Sequence, residues 1–130
     1  AVSSISASDI QQAPDIGNLQ VRGQVSFSTG SADLTAESRE TLTQLAQEIN
    51  EFNQATVAVR VIGHTSRPGS ADFNQALSQG RASVVVNTLT GLCVTLNTLP
   101  EGKGFSEPLA NIDPKDSENQ RTEIRLVRVN

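Results

Sequence analysis

The chain has little aromatic surface with which to build a core. Its 130 residues include four Phe but no Trp, Tyr or Met, while hydrophobic residues still make up 36% of the sequence. The core must therefore consist of Val, Leu, Ile and Ala. The length suffices for one domain with a single core.

Cysteine, histidine and long apolar runs are equally scarce. The single cysteine, Cys93, cannot form an internal disulfide, so cysteine usage leaves the compartment open. The single histidine, His64, has no accompanying cluster of Cys or carboxylates, so we predict no metal site and no cofactor. No apolar run approaches the roughly 20 residues of a membrane-spanning helix, and we predict no direct membrane insertion by this segment. The first residues lack the basic start and apolar stretch of a signal peptide, which leaves a cytosolic chain or a piece of an exported protein.

Positive charge is also in deficit. Ten Lys and Arg stand against fourteen Asp and Glu, a formal net charge of −4, whereas a nucleic-acid-binding protein needs a clustered basic surface. The sequence also lacks a G-x-S-x-G elbow and a phosphate-binding loop. It therefore predicts neither a nucleic-acid partner nor an enzyme.

Residues 1–18 differ from the rest of the chain. They are small and polar and are interrupted by Pro14 and Gly17, a composition that predicts a linker or a loosely held leading segment. The predicted domain covers residues 19–130.

Hydrophobic periodicity in this domain predicts the order β-α-β-α-β-β. The strands are expected near 19–27, 56–62, 102–108 and 122–127, and the helices begin after the N-caps Thr35 and Ser70. In the first helix, four residues are expected to face the sheet: Leu42, Leu45, Ile49 and Phe52. The predicted fold class is α+β, a two-layer sandwich in which two main helices pack on one face of a mixed four-stranded sheet.

The most informative stretch is residues 59–88, VRVIGHTSRPGSADFNQALSQGRASVVVNT. It predicts a strand end, a polar loop and a long helix. Asn74, Ser78 and Arg81 share one polar face of that helix. An adjacent face is the expected core side, formed by Phe73, Leu77, Gly80, Val84 and Thr88. Such an arrangement suits a small charged ligand held against a rigid element.

The same stretch carries a family resemblance. GHTSRPG followed by NQALSQGRA resembles the central motif of the OmpA-like peptidoglycan-binding domain, also found in MotB. VSFSTGSADLT, GKGFSEP and NQRTEI resemble three further signatures of this family in the same order, so the resemblance covers residues 19–129. It implies a non-enzymatic domain in the periplasm, associated with the outer membrane. Such a domain binds the diaminopimelate-containing stem peptide of peptidoglycan and anchors an envelope protein whose membrane-anchoring domain lies outside this chain.

The resemblance also implies roles for single residues. Arg81 matches the arginine that binds the free carboxylate of diaminopimelate, which suits the planar donor fork of a guanidinium; the alternative is a solvated helix arginine. Asn74 either bonds the ligand or braces the loop, and Thr65 acts through its hydroxyl or its backbone. Arg121 is expected at the pocket rim, with a cross-strand pairing to Glu123 as the alternative.

Ser66 departs from the family pattern. The family has Asp at this position, where the carboxylate pairs with the ammonium of the ligand, whereas a serine hydroxyl accepts a hydrogen bond without supplying charge. The loss would weaken binding by roughly 1.5–3 kcal/mol, unless Asp72 supplies a carboxylate instead. The sequence thus leaves an alternative open: an OmpA-like fold that has lost cell-wall binding and serves as a protein–protein interaction or structural module.

Overall fold

The computed structural model describes residues 7–18, 27, 33–65, 70–104 and 121–129. Within these residues, the sheet has four strands in the order β1-β4-β2-β3. The helices and strands are α1 (Ala7–Gln12), β1 (Asp15–Asn18), α2 (Ala36–Ile49), β2 (Val57–His64), α3 (Ala71–Gly91), β3 (Thr98–Gly102) and β4 (Arg121–Arg128).

The sheet is mixed, as predicted. β2 pairs with β4 in antiparallel register over all eight of its residues, from Val57 opposite Arg128 to His64 opposite Arg121. β3 joins the other side of β2 in parallel, and β1 joins β4 antiparallel. The predicted α+β class and the packing of two main helices on one face are confirmed.

The α2 helix follows its sequence signals at its start and departs from them at its end. Thr35 is the N-cap, and its side-chain oxygen accepts a hydrogen bond from the Ser38 N–H. The predicted core positions Leu42, Leu45 and Ile49 are buried. Phe52 is 38% exposed, because the helix ends at Ile49 and the chain has left the helical path by residue 52. The prediction of a core position there was wrong.

One face of the sheet packs against α2 and α3. Its residues alternate along β2 and β4 with the period of two that strands impose, and all of them are buried: Val57, Val59, Val61, Ile124 and Leu126. Helix residues such as Leu42, Val85 and Leu89 complete this main core. The core is aliphatic, as the composition required.

The opposite face carries a smaller apolar cluster and a row of ion pairs. Ile10 of α1 is 3% exposed and packs on Ala58 and Val127. Further along this face, Arg60 donates two hydrogen bonds to Glu101, at 2.7 and 3.0 Å.

Part of the segment expected to be a linker, residues 7–18, forms regular structure. It supplies α1 and the edge strand β1, in which Asp15 accepts a hydrogen bond from Arg125. Its polar composition hid this role, because β1 is defined by its pairing with β4 and not by a pattern of its own. The strand predicted near residues 19–27 lies outside the described residues apart from Phe27, which forms an isolated bridge with Leu34. The domain boundary at residue 18 stays a prediction.

The third strand lies earlier than predicted. β3 occupies Thr98–Gly102, while residues 105–108 of the expected strand lie outside the described part. Cys93 is exposed and has a positive φ of 68°. It directly follows the C-cap of α3, where the chain turns back toward the sheet.

Candidate functional site

The polar residues of α3 lie on its buried side. Ser70 is the N-cap, and its side-chain oxygen accepts a hydrogen bond from Phe73 N–H at 3.1 Å. Asn74 and Arg81 are each 4% exposed and Ser78 is fully buried. The same stripe continues through the apolar residues Ala82, Val85 and Leu89.

The predicted core face of α3 was therefore misassigned. Phe73 is 56% exposed, and the other four residues of that face are only half-buried. The polar stripe faces inward because the first turns of α3 pack over the ends of β2 and β3, where backbone groups offer hydrogen-bond partners.

Arg81 is withdrawn from solvent beneath an aromatic ring. Its Cζ lies 5.1 Å from the centroid of the Phe27 ring, within the range of a cation–π contact. Burial lowers the pKa of Arg81, although a guanidinium keeps its charge at neutral pH. The alternative of a solvated helix arginine is excluded.

Asn74 braces the start of the helix. Its Nδ2 donates to the carbonyl oxygen of Ser70 at 3.0 Å, which ties the side chain to the N-cap residue. The two roles that the sequence leaves open for Asn74, ligand binding and bracing of the loop, stay predictions.

Thr65 follows the end of β2 and is held through its backbone. Its N–H donates to the carbonyl oxygen of Gly104 at 2.7 Å, and the residue is 2% exposed. The Thr65 hydroxyl is buried and has no hydrogen-bond partner in the described structure. An unsatisfied buried hydroxyl is unusual and marks a place where a ligand or water can supply the bond.

Gly63 permits the close approach of α3 to the sheet. A Cβ at this position would lie 2.3 Å from the carbonyl oxygen of Ser78, so any side chain would push the helix away. The glycine of the Gly-His-Thr sequence is explained by this contact.

Two of the predicted site residues lie wholly or partly outside the described structure. Ser66 lies in residues 66–69, outside the described part of the chain. Arg121 begins β4 directly opposite His64, so its backbone stands at the same end of the sheet as Thr65. Its side chain lies outside the described structure.

His64 forms a buried polar pair that the sequence did not reveal. The residue is 2% exposed, and its Nε2 lies 2.5 Å from Oε2 of Glu123. Arg125 donates to the other oxygen of the same carboxylate. The hydrogen bond from His64 lowers the pKa of Glu123 to about 2; burial opposes the shift and Arg125 supports it. The pair follows from the antiparallel register of β2 and β4, which places Glu123 diagonally beside His64 on one face of the sheet.

Two glutamines of α3 bind the outer edge of β3. Gln75 Nε2 donates to the carbonyl oxygen of Gly102 at 2.7 Å, and Gly102 N–H donates to Oε1 of Gln79 at 2.9 Å. Their spacing of four residues, on the side of α3 next to the buried stripe, is the only sequence signal for this contact.

The described residues contain no group of three or more His, Cys, Asp or Glu that could hold a metal ion. Within the same residues, no helix combines the length and apolar character of a membrane span.

The fold and the α3 site together define an α+β domain with a buried arginine on the inward side of α3. Residues 26–122 match the OmpA family, and the chain belongs to that family.

Individual relatives agree with this assignment. The probable lipoprotein YiaD of Escherichia coli (strain K12) is 33% identical over 111 residues, which are 83% of this chain and 50% of YiaD. The solved OmpA-like domain of FopA1 from Francisella tularensis is 25% identical with a TM-score of 0.68, over 81% of this chain and 71% of that one. The peptidoglycan-associated lipoprotein from Burkholderia pseudomallei is 24% identical with a TM-score of 0.63, over 83% and 92% of the two chains.

The chain spans half or less of the length of the curated relatives it matches. Those relatives are outer membrane proteins and a lipoprotein. They confirm the predicted location in the cell envelope, periplasmic and associated with the outer membrane.

Proposed function

We propose that this domain binds peptidoglycan without covalent chemistry and so anchors the protein that carries it to the cell wall. Membership of the OmpA family supports this role. A structural neighbour is named as a peptidoglycan-associated lipoprotein. At 24% identity, this likeness supports the fold alone. On this proposal the domain is a binding module and not an enzyme.

The ligand we propose is a peptidoglycan stem peptide with diaminopimelate, whose free carboxylate is bound by Arg81. The observation that carries this proposal is the burial of Arg81 under Phe27. A guanidinium presents a planar fork of N–H donors that matches the two oxygens of a carboxylate. A carboxylate that approaches a desolvated guanidinium interacts with it more strongly than it would in water.

The second contact of the ligand falls to the loop that contains Ser66. In the two-point recognition implied by the family pattern, Arg81 takes the carboxylate and the loop takes the ammonium. A serine offers the ammonium a neutral acceptor, so affinity should fall by about one to two decades relative to an aspartate. The Thr65 hydroxyl, which finds no hydrogen-bond partner among the described residues, is a further acceptor for the ligand.

In the alternative function, the domain keeps the fold but no longer binds the cell wall. Ser66 favours an interaction or structural module, because the residue removes one of the two charges that recognise a zwitterionic ligand. Co-sedimentation of the domain with purified sacculi separates the two functions. Binding that saturates supports the first, and its absence supports the second.

Arg81 variants test the carboxylate contact itself. Alanine would leave a cavity at this buried site, so the informative substitutions are Arg81→Lys, which keeps the charge without the fork, and Arg81→Met, which keeps the length without the charge. Both should bind sacculi at least about tenfold more weakly, because neither side chain has the planar fork of parallel N–H donors that matches a carboxylate. The control is Arg39→Ala, which removes the same charge from an exposed position of α2. Undiminished binding by both Arg81 variants would overturn the carboxylate assignment.

A further inference from the structure

We propose that Ser78 is a positioning residue of this site: its hydroxyl fixes the strand-end residue Thr65 relative to Asn74 and Arg81 on α3. The expected effect of Ser78 on ligand affinity rests on the proposed function. The hydrogen bonds that connect Ser78 to Thr65 do not depend on it.

Ser78 lies on the buried stripe between the two candidate ligand residues of α3, one turn from each. It is completely buried. Its hydroxyl donates to the carbonyl oxygen of Gln75 at 2.9 Å and accepts a hydrogen bond from the N–H of Gly104 at 2.9 Å. The first bond is internal to α3, whereas the second joins the helix to the chain just beyond β3.

Gly104 extends this hydrogen-bonded connection to Thr65. Its carbonyl oxygen accepts the N–H of Thr65 at 2.7 Å, so Gly104 is bonded to the helix through its N–H and to Thr65 through its carbonyl. Gly104 has a positive φ of 55°, a conformation that glycine adopts without strain. Three segments distant in sequence are thereby joined by two consecutive hydrogen bonds.

Removal of the Ser78 hydroxyl leaves the backbone contact between α3 and Gly63 in place. The close approach of α3 to Gly63 involves the backbone carbonyl of Ser78, which alanine retains. Without the hydroxyl, the buried N–H of Gly104 loses its acceptor and must shift to find another. Because Gly104 also holds Thr65, this shift would change the spacing between Thr65 and Arg81. Binding sites tolerate only about 0.5 Å of such change.

The chain offers a matched control. Ser38 is also a completely buried helix serine, but it lies on α2, where it accepts a hydrogen bond from the Thr35 hydroxyl at 2.9 Å. Ser38→Ala removes a comparable buried hydroxyl from a helix that carries no candidate ligand residue. It therefore reports the loss of stability alone.

The experiment compares Ser78→Ala, Ser38→Ala and the unmodified domain at a temperature where all three are folded. Amide hydrogen exchange of Thr65 and Gly104 should accelerate about tenfold or more in Ser78→Ala, beyond the acceleration of core amides, and should not do so in Ser38→Ala. Calorimetric titration with a diaminopimelate-containing stem peptide should show about fivefold or greater loss of affinity in Ser78→Ala only.

The outcomes separate the two proposals. If the unmodified domain does not bind the peptide, the proposed function falls and the ligand role of Ser78 falls with it. If the unmodified domain binds and Ser78→Ala binds equally well, the positioning role alone is overturned. Equal exchange at Thr65 in both serine variants would overturn it as well, because the hydrogen-bonded connection would then not hold Thr65.

Discussion

Arg81 and Ser66 contribute unequally to recognition of a zwitterionic ligand. A guanidinium buried beneath Phe27 is already desolvated in the free domain, so little of its hydration remains to be lost when a carboxylate binds. The hydroxyl of Ser66 offers no charge to an ammonium. On this view most of the affinity comes from the arginine side, and the serine side can be improved by mutation.

We therefore expect Ser66→Asp to tighten binding of the stem peptide by about tenfold or more. The carboxylate restores an anion opposite the ammonium, and the gain should shrink as salt rises because charge attraction is screened. Calorimetric titration at two salt concentrations measures both effects.

Amidation of the free carboxylate of the ligand provides the control for this experiment. That change acts on Arg81 and should weaken binding to the wild type and to Ser66→Asp alike. If Ser66→Asp gains nothing and both proteins bind weakly, the site differs from the family pattern at more than one residue. The interaction-module function would then lead.

Among the elements, the contact between α3 and β2 is the most sensitive to substitution. Gly63→Ala would place a methyl carbon 2.3 Å from the carbonyl oxygen of Ser78, well inside van der Waals contact. The backbone must move to relieve this overlap, so we expect a loss of about 1–3 kcal/mol in the free energy of unfolding. Sacculus binding should weaken as well. Urea denaturation measures the first effect.

Gly91→Ala is the matched control for this substitution. Gly91 is the last residue of α3, and nothing lies within 4 Å of a Cβ built on it. Alanine there should leave stability unchanged or raise it by up to about 1 kcal/mol. Equal stability of Gly63→Ala and Gly91→Ala would contradict the close approach of helix and strand.

The pairing of β2 with β4 carries a dependence on pH. The pKa of Glu123 is lowered from 4.5 to about 2, chiefly by the hydrogen bond from His64. A carboxyl with a lowered folded-state pKa stabilises the fold above its unfolded-state pKa, and this stabilisation is lost as pH falls toward the folded-state value. We expect wild type to lose up to about 3 kcal/mol from this group between pH 5 and pH 2.

Glu123→Gln removes the titrating group and should flatten this part of the pH profile. Urea denaturation at a series of pH values measures it, with Glu40→Gln, an exposed glutamate of α2, as the control. A profile of Glu123→Gln parallel to that of wild type would show that Glu123 contributes nothing to acid sensitivity.

Elements with a strong repeating pattern could be predicted from the sequence, and those defined by pairing could not. β2 and β4 alternate Val, Ile and Leu with other residues, so both strands and their inward faces followed from the period of two. The inward face of α3 was missed because its first half is polar, and only the strand ends that it covers explain why Asn74 and Ser78 are buried. Arg81 was predicted from its motif, whereas its burial under Phe27 depends on a contact between residues 54 positions apart in the sequence.

At the scale of the whole molecule, the question is where the folded domain begins. The composition of residues 1–18 predicts a linker, yet Ile10 is 3% exposed against Ala58 and Val127. This small cluster closes the face of the sheet opposite the main core, at the end of β2 remote from Thr65. We therefore propose that α1 and β1 belong to the folded unit.

Ile10→Ala tests this assignment. The substitution should lower the free energy of unfolding by about 2 kcal/mol, since it removes a buried side chain whose surroundings cannot fully collapse. Ile16→Ala, at a residue that is 42% exposed, should change it by less than about 0.5 kcal/mol. Both variants should bind sacculi as the wild type does, because Ile10 lies at the far end of the sheet from the candidate site. If the two variants are equally stable in urea, the leading segment is a linker after all and the domain begins after residue 18.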